Sequence, residues 1–74
     1  MTIKSDLKTI AQHYKYDADE YKKDICAARF DFSCLIDTLC KNGDISNKTW
    51  QNANVIVNEH NELVLHCLSY TLQI

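Results

Sequence analysis

Apolar residues in the first half of the chain return at steps of mainly four and three: Ile3, Leu7, Ala11, Tyr14, Ala18, Tyr21, Ile25, Ala28, Phe32, Leu35 and Leu39. A repeat averaging about 3.5 residues is that of a helical seam facing another helix. With Ala11, Ala18, Ile25, Phe32 and Leu39 at a, the d positions fall on Leu7, Tyr14, Tyr21, Ala28 and Leu35. The phase carries through Tyr16-Asp17-Ala18-Asp19-Glu20, where an Asp N-cap with Glu three residues on could start a fresh helix. The pattern therefore predicts a long helix over about residues 3–41, with room for a break near residue 17.

Proline is absent and Gly43 is the only glycine. Asn42-Gly43-Asp44 is then the one clear stop, followed by Ser46 or Asn47 as a new N-cap. Beyond it two patterns compete. Leu68, Tyr70, Leu72 and Ile74 alternate with Ser69, Thr71 and Gln73, and Val55-Ile56-Val57 is β-branched; both are features of strands. Against this, at about 100° per residue Gln51, Asn52, Asn54, Asn58, Glu59, Asn61, Glu62, His66, Ser69 and Gln73 share one half of a helical wheel. Trp50, Ala53, Ile56, Val57, His60, Leu63, Val64, Cys67, Leu68 and Ile74 fill the other, with Val55 and Leu65 as misfits. That sorting favours a second helix over about residues 46–73, with Trp50, Val57, Val64 and Thr71 at a and Ala53, His60, Cys67 and Ile74 at d.

The expected fold is thus all-α: one domain over residues 1–74, an antiparallel helical hairpin closed by Asn42-Gly43. Leu39 would meet Trp50, Phe32 would meet Val57, and Ala28 would meet a core His60. At 74 residues a single hairpin has too small a core, so three-helix or dimeric four-helix-bundle packing should complete it.

Composition narrows the function. A net charge of −2 with Arg29 as the sole arginine argues against nucleic acid as a partner. No apolar run reaches the roughly 18 residues of a membrane span, and Met1-Thr2-Ile3-Lys4-Ser5-Asp6 does not open like a signal peptide. A soluble cytoplasmic protein, of a bacterial host or host cell, is expected. Cys26, Cys34, Cys40 and Cys67 lack the close spacing of zinc or redox pairs and read as small buried hydrophobes. Cys67 and His60, the one nucleophile–base candidate, lie seven residues apart, about 10.5 Å along a helix and too far to bond. No enzyme, cofactor or metal site is expected.

What remains is contact surface. Cys26, Phe30 and Cys34 form a second apolar line opposite the first seam, and Ile56, Leu63 and Tyr70 widen the second. Asp17, Asp24 and Asp31 repeat every seven residues at the g edge with no row of cations inside the hairpin to meet them. These nine residues are the candidate partner-binding set. They point to a small non-enzymatic module that occupies a partner's surface and self-associates as a homodimer or larger homo-oligomer. An inhibitor, adaptor or co-chaperone fits that description, including a phage- or plasmid-encoded inhibitor of host machinery. An RNA-binding hairpin dimer and an oligomeric small-molecule or nucleotide sink are the alternatives.

Overall fold

The computed structural model describes residues 2–74. It contains four helices, α1 Ile3–His13, α2 Ala18–Lys23, α3 Ile25–Lys41 and α4 Asn47–Asn52, and after them three strands. β1 Ala53–Val57, β2 Leu63–Cys67 and β3 Tyr70–Gln73 make an antiparallel sheet in the order β1-β2-β3. The fold is α+β. The expected all-α helical hairpin, with its coiled-coil and bundle packing, is overturned.

The first half comes closest to its pattern. Instead of one helix there are three, and each of the second and third begins on an aspartate cap. The Asp17 carboxylate accepts from the Glu20 N–H at 2.8 Å as the N-cap of α2, and Asp24 accepts from Ala27 N–H at 3.1 Å as the cap of α3. A Thr2–Ser5 capping box opens α1. The seam residues still point inward for the most part: Leu7, Tyr14, Tyr21, Ala28, Phe32 and Leu39 are buried, whereas Ile25, beside the Asp24 break, is exposed.

The second half departs because its asparagines are turn makers, not the polar face of a helix. The Asn58 side-chain oxygen accepts from the N–H groups of His60 and Glu62, both at 3.0 Å, and Asn61 takes a positive φ of 59°. Chain reversal here puts β1 and β2 in register, Ala53 opposite Cys67 and Val57 opposite Leu63. Alternation then decides the faces. Val55, Leu63, Leu65 and Cys67 are buried on the helix side, so the two helical misfits, Val55 and Leu65, are core residues of the sheet. His60, expected in a core opposite Ala28, stands exposed in the β1–β2 loop.

Helices α1 and α3 pack under the sheet, α1 against β2 and β3 and α3 against β1. One polar knot ties α1 to α4. Asp6, 1% exposed, accepts at a single carboxylate oxygen from the Ser46 N–H and Oγ at 3.1 Å each and from the Thr49 hydroxyl at 2.6 Å. Ser46 is itself the N-cap of α4, so the start of α4 is fixed to α1. No helix among the described residues is long and apolar enough to cross a membrane.

Candidate interaction surface

Helix α3 turns Ala28, Phe32, Ile36 and Leu39 into the core. Residues about half a turn away must then face outward, and these are Cys26, Phe30 and Cys34. Both cysteines are exposed as free thiols, and Phe30 is 67% exposed. The predicted line therefore exists as an open apolar stripe along the longest helix of the molecule. Cys67 is the buried cysteine; lack of solvent, reinforced by Asp6, pushes its thiol upward and keeps it protonated.

The stripe borders a groove. Three adjoining cavities run along α3, first beside α4 and then beside β1 and α2, and neighbours share residues. Ser33, Cys34, Ile36, Asp37 and Trp50 line the first, of about 430 Å³. Ser33 and Ile36 pass into a second, of about 370 Å³, with Arg29, Asn54 and Ile56. Arg29 and Ile56 in turn line a third, of about 350 Å³, with Lys22 and Ile25. Trp50, Ile25 and Ile56 are all more than 40% exposed. Cys34 is where the stripe meets the groove, whose exposed apolar side chains alternate with Lys22, Arg29 and Asp37.

The other predicted positions scatter. Ile56 lies in the groove, but Leu63 is 2% exposed, a core residue of β2, and Tyr70 is exposed at the far edge on β3. A sheet separates what a helical wheel had stacked. Asp17 and Asp24 are committed as helix caps, and Asp31 accepts a hydrogen bond from the Tyr16 hydroxyl. That bond, with Asp24 and Glu20 nearby, raises the Tyr16 phenol above its usual range. Asp24 and Asp31, with Glu20, thus make a negative corner around Tyr16, while Asp17 is spent on capping α2, and no straight rim results.

Arg29 and Tyr21 were absent from the sequence-based set. The Arg29 Nε donates to the Tyr21 hydroxyl at 3.1 Å, and that hydroxyl donates to the Val55 carbonyl at 3.0 Å. The pair covers the outer margin of β1 at Val55. A tyrosine at a seam position gives no hint of a carbonyl 34 residues away. No group of three or more His, Cys, Asp or Glu that could hold a metal occurs among the described residues.

Compared with protein-family models, curated proteins and solved structures, the chain matches none. What it does must be argued from its own surface.

Proposed function

We propose that the protein is a non-enzymatic protein-binding module that acts by covering a partner's surface through the α3 face. One observation carries this reading: Phe30 stands 67% exposed at the middle of the longest helix, between two exposed cysteines. A lone exposed phenylalanine would mean little. Here Cys34, one turn on along the same helix, leads to a groove along which Trp50, Ile25 and Ile56 are exposed, and exposed aromatic residues are the usual anchors of protein interfaces. The negative corner of Glu20, Asp24 and Asp31 flanks the same helix and favours encounter with a basic partner. Inhibitors, adaptors and co-chaperones all work in this way.

The test is a photoreactive phenylalanine at position 30. In cells of the natural source it should give a discrete adduct with one other protein, while the same group at Asn42 should not. Phe30→Asp should then weaken that complex about thirtyfold, the effect of losing a hot-spot aromatic worth about 2 kcal/mol, without lowering the melting temperature. If Phe30→Asp binds the captured protein as tightly as the wild type, the α3 reading is wrong.

A further inference from the structure

The two margins of the sheet are built differently, and hydrogen bonding identifies which groups face outward. Asn58 N–H donates to Glu62 C=O at 3.0 Å and Ile74 N–H donates to Leu63 C=O at 2.9 Å. Antiparallel ladders alternate, so Leu63, Leu65 and Cys67 bond towards β3 and Val64 and His66 towards β1. On β3, Tyr70, Leu72 and Ile74 therefore spend their main-chain groups on β2. The N–H and C=O groups of Thr71 and Gln73 face away from the sheet, and no hydrogen bond takes them up among the described residues.

Natural sheets usually guard such an edge with lysine, proline or a covering element. The β3 edge has none of these. From Leu63 to Ile74 the chain contains no Asp, Glu, Lys or Arg, although ten acidic and eight basic residues occupy the remainder. Around it Leu68, Tyr70 and Ile74 are 43%, 40% and 39% exposed.

We propose that β3 pairs with β3 of a second copy of this chain, antiparallel about a twofold axis at Leu72, to make a continuous six-stranded sheet. Three features favour a twin as the occupant. First, the register is self-complementary: Thr71 falls opposite Gln73 of the other copy, and the pair exchanges every outward N–H and C=O on both strands. Second, the same register sets Tyr70 against the other copy's Ile74, and Leu72 against its own equivalent. Those side chains share the sheet face of Cys67, Leu65 and Leu63, so each exposed apolar group on that face gains a cross-strand neighbour. Third, Leu63 to Ile74 is the longest stretch in the chain without Asp, Glu, Lys or Arg, so no like charges of the two strands are set opposite each other. The proposal is independent of the α3 reading, since it uses the opposite margin of the sheet.

Sedimentation of the wild-type chain should give a monomer–dimer equilibrium that shifts with concentration. Thr71→Pro removes an outward N–H but no bond to β2, so it should weaken the dimer about tenfold or more while circular dichroism stays unchanged. A second pair of variants reads the register. In a Cys26→Ser/Cys34→Ser background, Leu72→Cys should form an intermolecular disulfide on mild oxidation, because opposed residues of a non-hydrogen-bonded pair lie about 4.5 Å apart at Cα. Thr71→Cys, which faces Gln73, should crosslink far more slowly. A wild type that sediments as a monomer at every concentration overturns the proposal, even if the edge captures a strand of some other protein. Equal crosslinking at positions 71 and 72 overturns the register. Neither result touches Phe30, so this proposal and the α3 reading can fail separately.

Discussion

The two edges of the sheet differ: β1 is guarded in part, at Ala53 and Val55, and β3 is bare. Along β1, the Ala53 N–H is taken by the Thr49 carbonyl at the end of α4, and the Val55 carbonyl receives the Tyr21 hydroxyl. Arg29 holds that hydroxyl and sets a charge over the strand. Along β3, by contrast, Thr71 and Gln73 present unused main-chain groups between exposed apolar side chains. The difference comes from chain order. Helices α2 and α3 precede the sheet and end up beside β1, so they can supply side chains to its margin, whereas β3 comes last and only α1 backs it. A chain that can guard one edge and leaves the other bare has an obvious place for association.

The largest effect should come from removing the knot that ties α1, which packs against β3, to the start of α4. Asp6→Ala takes the 2.6 Å acceptor from the buried Thr49 hydroxyl, leaving it only Ser46 Oγ at 3.2 Å, and strips the Ser46 N–H of its partner, at a cost of about 2 kcal/mol. Urea unfolding should report this as a lower midpoint with little change in slope. Asp6→Asn keeps an acceptor oxygen and should lose less. If Asp6→Ala is as stable as the wild type, the knot does not anchor α1, and the support beneath the open edge must be apolar packing alone.

A smaller effect should come from opening the guarded edge. Tyr21→Phe keeps the buried ring and removes the hydroxyl that bridges Val55 and Arg29, costing about 1 kcal/mol. Its more telling consequence is on assembly. If the bridge over Val55 is what bars β1 from pairing, association closes at a dimer; with that bridge gone, strands can add at both edges without end. Tyr21→Phe combined with Arg29→Ala should therefore sediment as species larger than a dimer, growing with concentration. If assembly still stops where the wild type stops, it is the bulk of α3 beside the strand that closes β1, and the hydroxyl bridge is incidental.

These same margins mark the limit of sequence reading. Helix-period spacing identified the inward residues of the first half, because local periodicity survives a break when an Asp cap restarts the helix in phase, as at Asp17. In the second half, strands of five residues separated by short loops place buried side chains at intervals that also suit a helical wheel. Two observations would have decided it: Val55 and Leu65 fit the helix badly, and Asn54, Asn58 and Asn61 are poor helix formers close together. The Cys26-Phe30-Cys34 stripe was legible since it depends on α3 alone. The groove, the Tyr21–Arg29 bridge and the Asp6 knot were not, because each joins residues far apart in the chain and only tertiary structure brings them together.

The smallest effect tests whether association depends on the bare edge or on the turn beside it. Cys67 pairs with Tyr70, so Leu68 and Ser69 form a two-residue hairpin loop, and Leu68 takes a φ of 56°. Tight hairpins want a positive φ at this position, and glycine is the residue that adopts it without strain. A leucine held there costs about 1 kcal/mol against its own Cβ. Leu68→Gly removes that strain but gives the unfolded chain more freedom, so the net gain should be only about 0.5 kcal/mol, read as a slight rise in melting temperature. Leu68 is also 43% exposed beside β3 and would be an easy candidate for the association surface. The Thr71–Gln73 register makes no use of it, so Leu68→Gly should raise stability and leave the dimerisation constant where it was. A dimer that weakens in this variant would move the contact from the strand's main chain to the apolar turn, and the contrast between the two edges would then be one of exposed side chains, not of unpaired hydrogen-bonding groups.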